Sequence, residues 1–411
     1  MFLKLAAKVQ LFSKISLILY IQNISKMDFS AVINSTYTLL LLVLLVLAFL
    51  LLALYYGLFW LRTARHKGKN IPTPDSVSPS DWPSVSVVMV AHNEADYLKE
   101  SLPYLLEQDY PNYEVVVVDY TSQDDTPFVL RVCSENYPKL KPVNFPEDVN
   151  MFRGKKYPLS IGIKSATKNV ILLTEPDSVP KDFGWISHMM CGHLHGASIV
   201  MGYSLLKEGK GLLHAFQQYE NLMFNASSLG MALLGNPYTA TGRNLAFQRD
   251  FFFRRGGFIS HYTIPDGADD LFVNQNANRS NTTVITDPNA AVITEPRPTF
   301  ALWHQERLHR YATRRYYNWK DKLQLVVYPA AQVLFWATWL LLLLQQLFPW
   351  QILAALLAVK FAWQIVTCAL LAKKFNISKI QFFAPFFELY FLFANTILYL
   401  LTLRKKNLRW R

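Results

Sequence analysis

Four long stretches of this chain are almost free of charge, and they constrain its folding more than any other feature. Tyr37 to Trp60 and Val326–Phe348 contain no charged residue, Gln351–Ala372 contains only Lys360, and Phe382–Leu403 contains only Glu388. Each is long enough to cross the roughly 30 Å hydrocarbon core of a bilayer as a helix. A membrane protein follows, with one N-terminal span and two or three C-terminal segments. The expected divisions are an N-terminal extension (1–36), a span (37–61), a linker (62–82), a folded domain (83–297), amphipathic interface helices (298–325), C-terminal membrane segments (326–403) and a basic tail (404–411). Phe382–Leu403 also holds Pro385 and Asn395, which are disruptive or costly in a lipid-facing span. It is therefore expected to lie at the interface or to re-enter. Glu388 would then meet head groups or pair with Lys360, the plainer alternative being a carboxylate facing a helix bundle.

The formal charge of +12 is concentrated beside those stretches. Arg62, Arg65, Lys67 and Lys69 follow the first, and Arg307, Arg310, Arg314, Arg315, Lys320 and Lys322 precede the second. Lys373, Lys374 and Lys379 separate the last two, and Arg404 to Arg411 closes the sequence. Basic clusters at membrane edges mark the cytoplasmic side and attract anionic lipid. No nucleic-acid module accompanies them, so lipid rather than nucleic acid is the expected partner. Cys133, Cys191 and Cys368 offer neither a metal-binding spacing nor a disulfide framework and read as free thiols. The first 26 residues, with Lys4, Lys8, Lys14 and Lys26, read as an interfacial helix or as a stretch upstream of a true start at Met27. Oligomeric state leaves no mark on the sequence.

Between the first two apolar stretches the pattern alternates. Val85–Ala91, Glu114–Asp119 and Asn169–Thr174 are short apolar runs, predicted as buried strands, and Ala95–Gln108, Thr126–Tyr137 and Lys156–Thr167 have helical spacing. Weaker signals predict strands at Ile199–Tyr203, Thr283–Thr286 and Val292–Thr294, with helices at Leu212–Leu234 and Asp269–Asn278. Alternating strands and helices imply an α/β domain with a mainly parallel sheet covered on both faces. Ligands of such sheets bind beyond the carboxyl ends of the strands, which puts Asp119, Glu175 and Asp177 at one rim.

Several groups there could carry chemistry, each with a plainer alternative. Glu175-Pro176-Asp177 offers two carboxylates to a hard cation, or is a solvated turn. Asp119 could accept hydrogen bonds from a base or ribose, or simply start a turn. Asn93-Glu94 could cap a helix, and Lys155-Lys156 is a solvated pair unless a diphosphate lies near. Asp269 and Asp270 are favoured at a helix start by the helix dipole, or one is a general base. Thr241-Gly242-Arg243-Asn244 is a tight turn or a loop approaching a ligand. In Trp303–Tyr311, aromatics and cations at the membrane edge or arginines binding a diphosphate explain the composition equally well.

Read in order, these segments resemble the family 2 glycosyltransferases, inverting enzymes of the GT-A fold. The resemblance rests on V-V-M-V-A-H-N-E (Val87–Glu94), V-V-V-V-D (Val115–Asp119), T-E-P-D-S-V-P (Thr174–Pro180), T-G-R-N-L-A-F (Thr241–Phe247) and A-D-D-L (Ala268–Leu271), with the Trp303–Tyr311 segment behind them. It implies a membrane-anchored enzyme of the cytoplasmic face that moves a sugar from a UDP- or GDP-sugar to a lipid-linked or polysaccharide acceptor. Asn93, Glu94, Asp119 and Lys156 would contact the donor, and Thr241, Gly242, Arg243 and Asn244 would line the donor or acceptor pocket. Glu175 and Asp177 would hold Mg²⁺ or Mn²⁺. Asp270, or else Asp269, would be the base, and Gln305, Arg307 and Arg310 would close over the diphosphate. Glu175 stands where the family has aspartate, and Ala268-Asp269 where it has Thr-Glu. An inactive nucleotide-sugar-binding protein and a structural subunit of a glycan synthesis or export complex are the competing readings.

Overall fold

The computed structural model describes residues 36–68, 70–145, 154–377 and 380–404. The expectations for residues 1–35, for Lys69 and Lys379, and for the tail beyond Arg404 lie outside the described residues.

Valine-rich runs make the core strands. β1 (Val85–Ala91) and β4 (Val170–Leu173) are buried along their whole length, and β2 (Tyr113–Asp119) nearly so, as expected of parallel strands with both faces covered. β3 (Leu140–Asn144) joins them. Between β1 and β2 runs α2 (Ala95–Leu106), which buries Ala95, Leu98, Leu102 and Leu105 at helical spacing against the sheet. α3 (Thr126–Asn136) and α4 (Lys156–Ser165) follow β2 and β3.

Further strands complete the sheet: β6 (Ile199–Met201), β8 (Leu245–Gln248) and β9 (Thr282–Val284). Its order is β3-β2-β1-β4-β8-β6-β9, with β8 antiparallel to both of its neighbours. A three-stranded sheet, β5 (Ser178–Pro180), β10 (Val292–Thr294) and β7 (Ser204–Leu206), stands beside the acidic strand end. This is the GT-A arrangement, a mostly parallel sheet layered with helices. β3, β5, β7 and β8 escaped the sequence reading, as did α5 (Trp185–Leu194). Each of these four strands runs only three to five residues, too few to carry a clear periodicity.

The remaining helices are α6 (Leu212–Leu233), α7 (Arg249–Arg254), α8 (Asp270–Asn276) and α9 (Phe300–Thr313). Four others are long and apolar enough to cross a membrane. They are α1 (Thr36–Arg65), α10 (Trp319–Leu344), α11 (Trp350–Lys374) and the stretch Ile380–Thr402, whose core is α12 (Ala384–Arg404). α12 is unbroken, so the re-entrant turn entertained for this segment is not formed. Pro385 falls in its first turn, where the missing N–H costs nothing.

The chain divides into two compact units. The larger comprises residues 54–328 and 361–411 and contains both sheets. Within it the end of α1 docks on α6: a side chain at Gly230 would put its Cβ 2.6 Å from the Phe59 carbonyl oxygen, and the Thr63 hydroxyl donates to the Ala226 carbonyl at 3.0 Å. α12 belongs to this unit and turns its polar residues into it. Glu388 accepts from the Tyr56 and Tyr328 hydroxyls, and Asn395 accepts from Arg307. The smaller unit comprises residues up to 53 together with 329–360. There Lys360 lies over the rings of Phe335 and Trp336, and the Trp339 indole donates to the Leu353 carbonyl.

Candidate functional site

A cavity of about 690 Å³ opens in the larger unit at the carboxyl ends of β1 and β4. That is the size range of small-molecule and cofactor sites. Its walls include the turn after β1, the acidic turn after β4, the start of α4, the loop before β8, the loop before α8, and one face of α9 with the residues just before it.

The turn after β1 supplies His92, Asn93 and Glu94. Asn93 takes a left-handed φ of 56°, which asparagine tolerates better than most residues. Its side chain accepts from the Gln123 amide at 2.7 Å, and its own amide donates to Ser122. Burial first, then the nearby Asp177 and Glu175 charges, push the Glu94 carboxyl up to about 7.

Along α9, Leu302, Gln305, Glu306, His309, Arg310 and Thr313 line the cavity. Their spacing of three and four is that of one helix face. Arg307 falls on the other face. It is fully buried, donates to Glu220 at 2.8 Å and to Asn395, and lies over the rings of Trp303 and Phe391. The expectation that Arg307 meets a diphosphate is overturned by this helical phase.

Other expected residues are also turned away. Lys156 is buried and donates to the carbonyls of His261, Ile264 and Asp266, which are oxygens a buried ammonium requires. Burial pulls its pKa down to about 8. Its neighbour Lys155 reaches the cavity instead and donates to Glu175 at 2.8 Å. Asn244 is wholly buried and ties the Trp185 indole to the Tyr203 and Ala290 carbonyls. Asp119 ends β2 at the expected rim, but it is buried and accepts from the Ser122 amide rather than lining the cavity.

The charged centre is denser than the sequence suggested. Arg243 donates to both oxygens of Asp177 at 3.4 and 3.3 Å and to Glu306 at 3.4 Å, and lies 3.9 Å from Glu175. Arg297 donates to Asp177 at 3.1 Å and to Glu306 at 2.5 Å, and Arg310 donates to Glu306 at 3.3 Å. Burial favours the neutral acid at Glu175, but Lys155 and Arg243 outweigh it and hold the carboxyl at about 2. Asp177 sits beneath the guanidiniums with only 4% of its surface exposed.

Glu175 and Asp177 fit a hard cation in kind, being carboxylates one residue apart. Their oxygens are engaged by Lys155, Arg243 and Arg297, and among the described residues no group of three or more His, Cys, Asp or Glu is placed to hold a metal. A cation there would need further ligands from a bound phosphate.

Asp269 accepts from the Gly242 amide at 2.5 Å, and a Cβ at Gly242 would stand 3.1 Å from that carboxylate. Asp270 accepts from the Thr313 hydroxyl, the Tyr317 hydroxyl at 2.8 Å and its neighbour's amide. Burial first, then the Asp269 charge, raise its carboxyl to about 6, more than its hydrogen bonds lower it. Close by, His309 and Asp266 pair at 2.8 Å. Thr241, Gly242 and Gln305 line the cavity as expected.

Arg297 and Asp266 were missed as site residues, while Lys155, Arg243 and His309 were named only as parts of candidate segments. Arg243 lay inside a recognised turn and Lys155 beside the chosen lysine, so position along the chain gave a partial signal. Arg297 gave none.

The family model for glycosyl transferase family 2 matches residues 86–253. Among curated proteins, the chain is 26% identical over 184 residues to a probable glycosyltransferase, YdaM, of Bacillus subtilis, covering 43% of each chain. It is 30% identical over 103 residues to the glycosyltransferase AglE of Haloferax volcanii, covering 25% of this chain and 33% of that one. It is also 26% identical over 98 residues to a poly-β-1,6-N-acetyl-D-glucosamine synthase of Staphylococcus epidermidis, covering 24% and 23%. The chain thus spans less than half the length of the curated relatives it matches. Among solved structures, the mannosyltransferase PcManGT from Pyrobaculum calidifontis, in complex with GDP-Man and Mn²⁺, superposes with a TM-score of 0.54 at 23% identity. The match covers 87% of this chain and 99% of that one, and it establishes a shared fold.

Proposed function

We propose, taking as premise that this chain is a family 2 glycosyltransferase of the membrane-bound type, that it moves a sugar from a nucleoside-diphosphate sugar to a lipid-linked or polysaccharide acceptor with inversion. The observation that carries this reading is the cavity itself. Four cations suited to a diphosphate line it together with a buried carboxyl raised to about 6.

Asn93 and Glu94 would meet the nucleotide where the turn after β1 opens into the cavity. Lys155, Arg243, Arg297 and Arg310 would hold the phosphates, since guanidinium and phosphate pair bidentately. Asp270 would take the proton from the acceptor hydroxyl, because a general base works best when its pKa lies near the working pH. Tyr317 and Thr313 would hold that carboxyl in place. A Mg²⁺ or Mn²⁺ ion on Glu175 and Asp177, when bound, would supply positive charge for the departing diphosphate. The donor domain would face the cytoplasm, as basic clusters border it on the sequence at both membrane edges.

Membrane fractions containing the full chain, assayed against a panel of UDP- and GDP-sugars for transfer and donor hydrolysis, test this. Turnover of at least one donor is expected. Donor binding without turnover of any would favour the inactive nucleotide-sugar-binding reading.

A further inference from the structure

Three guanidiniums converge on one carboxylate at the edge of the cavity. Glu306 receives Arg297 at 2.5 Å, Arg310 at 3.3 Å and Arg243 at 3.4 Å. A single carboxylate is satisfied by one bidentate arginine. Arg243 and Arg297 also share Asp177, so the two acids hold a cluster built for more negative charge than either carries alone. All three arginines and Glu306 line the cavity. Glu306 stands on the face of α9 that looks into it, one turn before Arg310, and its side chain is 28% exposed. The cluster is thus open to a ligand, with one of the protein's own anions in it.

We propose that Glu306 is a built-in competitor for the donor. Its carboxylate occupies the anion site formed by Arg243, Arg297 and Arg310, and the diphosphate of the nucleotide sugar displaces it. This rests on reading the cavity as the donor site. The exchange is favourable in kind: a diphosphate offers more charge and more acceptor oxygens than one carboxylate, and arginine matches phosphate geometry. It also carries a cost, because each donor that binds must break three ion pairs at Glu306. That cost weakens donor affinity and offsets part of the positive charge of the arginines when the cavity is empty.

The opposite role is physically distinct. If Glu306 instead holds the arginines in position for the donor, its loss disorders them and binding weakens. The two roles predict opposite signs.

Binding of UDP and of GDP to the full-length protein in detergent, measured by calorimetry with and without Mn²⁺, decides between them. Glu306→Gln keeps the size of the side chain and removes its charge. The expected result is binding of the preferred nucleotide tighter by about tenfold or more. Glu306→Ala should shift affinity in the same direction, and it decides the matter if the glutamine variant does not fold by its melting curve. Unchanged or weaker binding by a folded variant overturns the competitor role and leaves the donor site standing. Failure of wild type and both variants to bind either nucleotide overturns the donor reading, and this inference with it.

Discussion

Single carboxyl groups set the chemistry proposed for this site, and their surroundings set what each can do. Asp270 is raised to about 6, chiefly by burial, so it is charged and able to accept a proton only above that pH. Activity should therefore fall as pH drops through about 6, with Glu94, raised to about 7, titrating nearby. Asp270→Asn is expected to lower turnover by about 100-fold or more while nucleotide binding persists. Whatever turnover remains should lose the acidic limb that Asp270 imposes. Near-normal rates in a folded Asp270→Asn protein would move the base to Asp269 or to the His309–Asp266 pair. The metal question also lies with two residues. Removing Mg²⁺ and Mn²⁺ with excess chelator, and replacing Asp177 by alanine, are each expected to abolish transfer. Full turnover in chelator would mean that Lys155, Arg243 and Arg297 neutralise the leaving group unaided. The acids of this site were readable as residue types at a strand end. Their partners were not, because Arg297 is 120 positions from Asp177 in sequence and 3.1 Å from it in space.

At the level of elements, α9 divides its labour by face. Glu306 and Arg310 look into the cavity, while Arg307 is buried on the far side between Glu220 and Asn395 of α12. Removing one partner of a buried ion pair leaves an uncompensated charge and costs about 3–5 kcal/mol. Arg307→Ala should accordingly lower the melting temperature and leave the Michaelis constant for donor unchanged, whereas a ligand-binding arginine would show the reverse. The helical period could have separated these residues in advance, since 306, 310 and 313 share a face that 307 does not. What the period could not tell is which face meets the cavity. α12 makes the same point. Glu388 and Asn395 look misplaced in an apolar segment until Tyr56, Tyr328 and Arg307 are seen to receive them.

For the whole molecule, the basic clusters at the membrane edges predict which way it sits in the membrane. A cysteine introduced at exposed Ser78 should resist labelling from outside intact cells and react once they are permeabilised. In the same series, a periplasmic reporter fused after Arg411 should stay silent. α12 is bound through Asn395 to the helix that lines the cavity, which places its middle beside the domain that holds that cavity. An active reporter would mean a fourth full crossing. Much of this protein was decided by sequence alone: the apolar stretches, the mainly parallel α/β domain, the strand-end rim where the cavity opens and the ordered motifs of a glycosyl transferase family 2 match. Each depends on local periodicity or on short ordered motifs, and both survive in a one-dimensional string. The tertiary structure alone decided that Lys155 faces the cavity and Lys156 does not, that Asn244 is a structural tie, and that Glu306 sits among three arginines. Those outcomes turn on side-chain direction and on contacts between distant segments, which are fixed only when the sheet, the loops and α9 close around the same space.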